Sequence, residues 1–263
     1  MDGEIFLDIK SMKICCKVNG CDKEDVPVIM VHGLGGSSSD FARAAEFSGI
    51  NGRTLVIPDL PGFGQSCKPF DFSYDLMEQA LLLSELIDKL GFLRADIVAH
   101  SMGGVIAILL AKSFPEKVNR LITAEPNLKP ENAKISATIK SFGNEEDFAG
   151  NFDMFIEKFN KPASPSALRF YSTLKQCAYY SLYRSAVSLI RHSHPPLYAD
   201  FLGLNVRRHF IRGEKSAHDI TAGMLEDFRE SGIGFHMIPD AGHGMMGDNP
   251  EAFYAAVARI LNE

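Results

Sequence analysis

Apolar residues follow two different spacings along this chain. Continuous apolar runs, such as residues 26–31, are typical of strands that are buried on both faces of a sheet. Strands are predicted at residues 4–9, 12–18, 26–31, 54–57, 97–99, 118–124, 207–211 and 234–238. Apolar residues at helical spacing predict helices at residues 74–90, 103–113, 224–230 and 250–261. Because strands and helices alternate with short links, the pattern favours an α/β fold with a mostly parallel sheet covered on both faces.

This alternation stops near Leu128 and resumes near residue 207. The stretch between them is irregular and rich in aromatic residues, namely Phe142, Phe148, Phe152, Phe155, Phe159, Phe170, Tyr171, Tyr179, Tyr180 and Tyr183. We interpret residues 129–198 as a helical cap inserted into a core domain that comprises residues 1–128 and 199–263.

Composition narrows the class of protein. The 263 residues are 46% hydrophobic and 23% charged, which suits one globular domain, or a domain with a large insertion. The net charge of −6 and the lack of a basic cluster argue against nucleic-acid partners. No run approaches the roughly 18 apolar residues of a membrane span, and the acidic start lacks the basic region of a signal peptide. We therefore expect no membrane association.

The five cysteines favour reduced thiols over a disulfide framework. Their number is odd, and Cys15 and Cys16 are adjacent. The sequence contains no C-x-x-C pair, so we expect no metal site. Free thiols make the cytoplasm the expected location. We expect the protein to be a monomer or a homodimer.

A candidate nucleophile, Ser101, lies in the sequence Ala-His-Ser-Met-Gly-Gly at residues 99–104. A predicted strand precedes this segment and a predicted helix follows it. A serine between small residues in a strand–turn–helix context is typical of a nucleophile elbow, in which a strained turn exposes the hydroxyl above the sheet. Ala99 stands where a glycine is usual and is still small.

His243 is the candidate general base. It lies between two glycines directly after the last predicted strand, which places it at the same edge of the sheet as Ser101. A serine becomes a good nucleophile when a histidine takes its proton. We expect His32 to hold its loop and His100 to be a packing or pocket residue. The remaining histidines are expected to be surface or hydrogen-bonded residues: His192, His194, His209, His218 and His236.

The glycine-rich segment at residues 32–36 follows a buried strand. Its glycines let backbone N–H groups approach a substrate oxygen. The amides of Leu34 and Met102 can then form an oxyanion hole. A phosphate-binding loop is the alternative, but the segment lacks both a lysine–serine ending and the G-x-G-x-x-G pattern.

Taken together, these motifs resemble the α/β-hydrolase superfamily. The resemblance rests on residues 31–36, 58–66, 99–104 and 241–243, and it covers nearly the whole chain outside the cap. It implies an eight-stranded, mostly parallel sheet with the active site between the sheet and the cap. It also implies a structural role for Asp59.

The acidic member of the predicted triad departs from the common family pattern. The position three residues after Gly213, where family members usually carry an aspartate, holds Ser216. Some members, including certain haloalkane dehalogenases, instead carry a glutamate after the strand that follows the nucleophile helix, and Glu125 occupies that place. We therefore predict Glu125 as the acid, with Asp219 and Glu214 as alternatives.

The sequence thus predicts a serine hydrolase that forms an acyl-enzyme on Ser101 and needs no cofactor or metal. The aromatic cap suggests that the substrate is a small, largely apolar ester or related acyl compound. A carbon–carbon bond hydrolase and a cofactor-free peroxidase-like enzyme on the same triad are the alternative activities. A small-ligand receptor or inactive hydrolase relative is the alternative of another class.

Overall fold

The computed structural model of the protein describes residues 3–20, 25–50, 52–160 and 164–263. Within them, eight strands form one sheet in the order β1-β2-β4-β3-β5-β6-β7-β8. The strands are β1 (Gly3–Ile9), β2 (Met12–Asn19), β3 (Val28–Val31), β4 (Leu55–Pro58), β5 (Ala95–His100), β6 (Val118–Ala124), β7 (Arg207–Gly213) and β8 (Gly234–Ile238). β2 pairs antiparallel with β1 and β4, and the other neighbouring pairs are parallel. The predicted fold class is confirmed.

Eleven α-helices accompany these strands in the described residues. They are α1 (Leu76–Lys89), α2 (Met102–Ser113), α3 (Lys134–Lys140), α4 (Glu145–Gly150), α5 (Phe152–Glu157), α6 (Pro165–Leu174), α7 (Tyr179–His192), α8 (Pro195–Gly203), α9 (Ala222–Glu230), α10 (Met245–Asp248) and α11 (Pro250–Leu261). Asn249 caps α11, because its side chain accepts a hydrogen bond from the amide of Ala252.

The strand β3 shows why the central strands are apolar throughout. Ile29 and Val31 pack into a core cluster that includes α1 and α2, whereas Val28 and Met30 pack into a second cluster that includes α11. Successive side chains of a strand point to opposite faces, so a sheet covered on both sides needs apolar residues at every position.

Strand register brings the carboxyl ends of three strands together. His100 of β5 lies opposite Ala124 of β6, and Ala124 lies opposite Ile211 of β7. The residues that follow these ends, among them Ser101 and Glu125, therefore meet at one edge of the sheet.

Between β6 and β7 the chain forms the helices α3–α8, of which α7 has 14 residues and the others have ten or fewer. Their aromatic residues pack largely on one another: the Phe148 ring lies 5.3 Å from the rings of Phe142 and Phe155 and 5.8 Å from that of Tyr183. The pattern of apolar residues is irregular there because α4 and α5, of six residues each, contribute only a few side chains to this shared aromatic cluster.

No helix in the described ranges is both long enough and apolar enough to cross a bilayer. The described cysteines Cys15, Cys16, Cys67 and Cys177 are free thiols, and Cys21 lies outside the described residues.

Candidate active site

Ser101 sits on a strained turn between β5 and α2. Its backbone has φ 53° and ψ −118°, a combination that an L residue rarely adopts. A Cβ at Gly103 would lie 2.5 Å from the carbonyl oxygen of His32, so only glycine fits at this place beside the end of β3. Close packing of the start of α2 against the end of β3 therefore requires the small residue that the sequence has at position 103.

His32 fixes the loop that follows β3. The amide of Leu60 donates to its Nε2 at 3.0 Å, and its Nδ1 donates to the carbonyl of Gly33 at 2.8 Å. Both ring nitrogens are thus occupied, and burial lowers the pKa of His32. Asp59 is similarly occupied, since its two carboxylate oxygens accept from the amides of Ser38 and Gln65.

Leu34 and Met102 lie on the two segments that border Ser101. The glycine-rich loop touches the elbow, since a Cβ on Gly33 would lie 3.1 Å from the Cβ of Ser101. Met102 is the first residue of α2, where N–H groups have no intrahelical acceptor. Neither amide donates a backbone hydrogen bond within the described part of the chain. Both N–H groups are therefore available to an oxygen beside Ser101.

Glu125 follows β6 with φ 47° and is completely buried. Its Oε2 lies 2.5 Å from Nδ1 of His243. The amide of Gly213 donates to Oε1 at 3.0 Å, and the hydroxyl of Ser216 donates to Oε2 at 2.7 Å. The serine at the usual acid position therefore acts as a hydrogen-bond donor to the glutamate.

These donors decide the ionisation of Glu125. Burial by itself raises the pKa of a carboxyl group, but the hydrogen bond and charge of His243 and the hydrogen bond of Ser216 outweigh it. The pKa of Glu125 consequently lies below its ordinary value. The two alternative acids are both exposed, and Glu214 accepts a hydrogen bond from the amide of Asp240 in a neighbouring turn.

Asn127 is a site residue that sequence reasoning missed. Its Oδ1 accepts a hydrogen bond from the hydroxyl of Ser101 at 3.1 Å, and the residue is 3% exposed. The only signal in the sequence is its position two residues after Glu125. His100, by contrast, lines the cavity as predicted, and its Nε2 donates to the carbonyl of His243 at 3.0 Å.

A second histidine lies behind His243. The ring of His218 is nearly parallel to that of His243, with centroids 6.3 Å apart, and its Nδ1 lies 4.0 Å from Oε2 of Glu125. Sequence reasoning had placed His218 among the surface or hydrogen-bonded histidines. It is in fact buried, and burial lowers its pKa to about 4.

Glu125, His218 and His243 are the three described residues whose ligand atoms cluster closely enough to be considered for a metal ion. Zinc lies about 2.0–2.2 Å from nitrogen and oxygen ligands, so two tetrahedral ligand atoms stand more than 3 Å apart. The 2.5 Å separation between His243 Nδ1 and Glu125 Oε2 is too short for that geometry. The contact fits a hydrogen bond.

A family model described as alpha/beta hydrolase fold matches residues 26–200. The chain belongs to the α/β hydrolase fold family. This confirms the resemblance drawn from the sequence motifs.

Curated relatives match in part of their length. Lipase 3 of Moraxella sp. (strain TA144) is 33% identical over 121 residues, which are 44% of this chain and 38% of that protein. The 2-hydroxymuconate semialdehyde hydrolase of Pseudomonas putida is 35% identical over 100 residues, which are 38% of this chain and 36% of that protein. The chain thus spans little more than a third of these relatives. A solved esterase from Exiguobacterium antarcticum shares the fold, with a TM-score of 0.78, 20% identity and 100% of both chains covered.

In this α/β hydrolase, a cavity of about 360 Å³ lies beside Ser101 and His243. Leu34, Ile135 and Leu189 contribute apolar walls. The sequence analysis named ten aromatic residues between Phe142 and Tyr183. In the part of the chain that the structure describes, Phe170 is the only one of them that borders this cavity. The aromatic richness of the segment therefore reflects its internal packing more than the character of the cavity.

Proposed function

We propose that this α/β hydrolase is a serine hydrolase that cleaves small esters or related acyl compounds through an acyl-enzyme. The observation that carries the proposal is the hydrogen-bonded series Ser216–Glu125–His243 beside a serine on a strained elbow. The family match and the lipase and hydrolase relatives support the same class of activity.

In the proposed mechanism the hydroxyl of Ser101 turns from Asn127 toward Nε2 of His243. Nδ1 of His243 is held by Glu125, so Nε2 is free to take the proton as Ser101 attacks the carbonyl carbon. The amides of Leu34 and Met102 stabilise the oxyanion. His243 then gives the proton to the leaving oxygen. A water molecule, activated by His243 in turn, releases the acid and restores Ser101.

Glu125 keeps the imidazole oriented and stabilises the imidazolium that forms. A carboxylate that is ionised in the resting enzyme is needed for this role. Hydrogen bonds from Ser216 and the amide of Gly213 stabilise its charge, in addition to the contact with His243.

The segment at residues 129–198 is proposed to form a cap that closes the cavity. Ile135 of α3 and Phe170 of α6 border the cavity. Near the start of α6, Ser166 donates to Asp248 at 2.6 Å, and the other oxygen of Asp248 accepts from the amide of Gly242 at 3.0 Å. These contacts join the cap to the loop that carries His243.

A carbon–carbon bond hydrolase is the second candidate, and the Pseudomonas putida relative is the observation that favours it. The same triad and oxyanion hole would serve that reaction. A receptor or inactive relative is disfavoured, because Ser101 and His243 border the same cavity and Glu125 contacts His243.

Labelling with a fluorophosphonate tests the proposal. We expect a covalent adduct on Ser101, and we expect Ser101→Ala to lose about 10⁴-fold or more of the turnover of p-nitrophenyl butyrate while staying folded. His243→Ala should cause a comparable loss, since the two residues act as a unit. An adduct on another serine, or parental activity in Ser101→Ala, would contradict the proposal.

A further inference from the structure

The hydroxyl of Ser101 donates its hydrogen bond to Asn127 in the resting enzyme. The distance from Oγ of Ser101 to Oδ1 of Asn127 is 3.1 Å. Both residues border the cavity, and Asn127 is buried. A buried carbonyl oxygen therefore lies at hydrogen-bond distance from the nucleophile, in addition to the histidine and glutamate of the proposed triad.

The turn that carries Asn127 packs directly against the helix that follows the nucleophile. Asn127 is the central residue of this turn, in which the amide of Leu128 donates to the carbonyl of Pro126 at 2.8 Å. A Cβ on Gly104 of α2 would lie 2.7 Å from Cβ of Pro126, so the turn and the helix are in close contact. This packing holds the backbone of Asn127 beside the nucleophile elbow.

Acylation removes the hydrogen that Asn127 accepts. In the proposed mechanism the proton of Ser101 passes to His243 and then to the leaving oxygen, and Oγ becomes an ester oxygen that carries no hydrogen. Oδ1 of Asn127 thereby loses its donor. Because a buried acceptor without a donor is costly, Oδ1 needs a new donor in the acyl-enzyme.

The hydrolytic water is a donor that the reaction itself brings to this place. It must approach the acyl carbon, which is bonded to Oγ of Ser101, and Oδ1 of Asn127 lies at hydrogen-bond distance from that oxygen in the resting enzyme. A water molecule has two hydrogens. One is donated to Nε2 of His243, and the other is left for a second acceptor. Two acceptors fix the orientation of the water, so that a lone pair points at the acyl carbon.

We propose that Asn127 is a catalytic residue of deacylation, whose Oδ1 first accepts the hydroxyl of Ser101 and then holds the hydrolytic water. This inference rests on the proposed function and assigns a further residue to its second half. The water oxygen bonds to the acyl carbon, and one water proton passes to His243 and then to Oγ as the bond between carbon and Oγ breaks. The second hydrogen, held by Asn127, leaves on the carboxylic acid product.

The two halves of the reaction should therefore respond differently to Asn127→Leu, which removes the acceptor and keeps a similar size. Labelling of Ser101 by a fluorophosphonate reports on attack by the serine alone. Its rate constant should not fall, because Asn127 no longer holds the hydroxyl away from His243. Deacylation should become slower, because the water loses one of its two acceptors.

Deacylation is measured by mixing the enzyme rapidly with p-nitrophenyl butyrate and following the butyryl group on Ser101 by the mass of the intact protein. We expect the ratio of the deacylation rate constant to the labelling rate constant to fall at least about fivefold in Asn127→Leu. A smaller fall in this ratio would overturn the proposal, even if both rate constants decreased, because equal losses indicate a structural role.

Two further variants are the controls. Asn132 also borders the cavity, but its Oδ1 has no hydrogen-bond partner in the described chain, so Asn132→Leu should leave the ratio unchanged. Asn127→Asp keeps an acceptor oxygen at the same place and should restore the parental ratio to within about threefold. An equal fall in Asn132→Leu, or no recovery in Asn127→Asp, would contradict the assignment.

Donation from Nδ2 of Asn127 to the oxyanion is the rival role. It would slow labelling as much as deacylation, because the phosphonate oxygen occupies the oxyanion hole, so a constant ratio would favour it over our proposal. If Asn127→Leu fails to fold, Asn127→Ala replaces it with the same expectation.

Hydrolysis by Ser101→Ala is measured in parallel, so that failure of this proposal is distinguished from failure of the proposed function. Hydrolysis that does not depend on Ser101 would refute the proposed function. Hydrolysis that depends on Ser101, with a parental ratio in Asn127→Leu, would refute the role of Asn127 alone.

Discussion

The two ends of the central strands each carry a buried carboxylate, and the two carboxylates have different surroundings. Asp96, near the start of β5, accepts a hydrogen bond from Asn119 at 2.6 Å, and its Oδ2 lies 3.8 Å from Arg53 and 3.9 Å from Arg120. Glu125, after the end of β6, has three donors at 2.5–3.0 Å. Burial raises the pKa of Asp96 despite its partners, whereas the pKa of Glu125 lies below its ordinary value.

The comparison shows that the partners of a buried carboxylate, together with burial, decide the direction in which its pKa is shifted. The arginines near Asp96 are permanently charged and lie beyond hydrogen-bond distance, so they neither accept a proton from Asp96 nor donate one to it. Glu125 has short donors that keep it ionised, and one of them is a histidine that can take up and release a proton. We therefore propose that the buried carboxylate at the amino end of these strands stabilises the fold and that the one at the carboxyl end takes part in catalysis.

The largest predicted effect that separates the two ends is that of Glu125→Gln. The substitution keeps the shape of the side chain and removes its charge, and its amide can stabilise the wrong tautomer of His243. We expect turnover of p-nitrophenyl butyrate to fall at least about a hundredfold, somewhat less than the roughly 10⁴-fold loss for an orienting aspartate. Glu214→Gln and Asp219→Asn should stay within a few-fold of the parent. The reverse ranking would identify another acid.

At the opposite end, Asp96→Asn should change stability and leave catalysis alone. The substitution removes the carboxylate near Arg120, which is itself buried. We expect the free energy of unfolding in urea to fall by about 1–3 kcal/mol, with kcat/KM within twofold of the parent. A tenfold loss of activity at unchanged stability would show that the two ends are coupled, contrary to the division drawn above.

The strands of the sheet could be predicted from the sequence because each one has its own local pattern of apolar residues. Continuous apolar runs, helical spacing and glycine-flanked turns depend on neighbours in the chain, so the strands β6 and β8 and the helix α11 were predicted to the residue. The helices between β6 and β7 were not located individually. α4 and α5 have only six residues each, and Phe148 and Phe155 pack on one another while Phe148 also packs on Tyr183 of α7, so these two helices are too short to leave a helical spacing in the sequence.

The same reasoning explains which residues at the carboxyl edge of the sheet could be predicted to lie together. Ser101, His243 and Glu125 lie at strand ends, and parallel strands bring such ends together whatever the details of packing. The contact between Asn127 and Ser101, the donation from Ser216 to Glu125 and the burial of His218 depend on side-chain positions across different loops. No local pattern records such contacts, so they required the structure.

The smallest predicted effect on activity is that of replacing Ser216, one of the hydrogen-bond donors that distinguish Glu125 from Asp96. Ser216→Ala removes one of the donors to Glu125 and leaves those of Gly213 and His243, so we expect kcat/KM at pH 8 to fall by about three- to tenfold. Loss of a donor to the carboxylate raises the pKa of Glu125 toward its ordinary value of 4.5. A larger fraction of Glu125 is then protonated at pH 5 than in the parent, so the variant should lose more activity relative to the parent at pH 5 than at pH 8.

Ser216→Thr, which retains the hydroxyl, should restore the parental pH profile. A uniform loss at both pH values would mean that Ser216 supports the loop and does not hold the charge of Glu125.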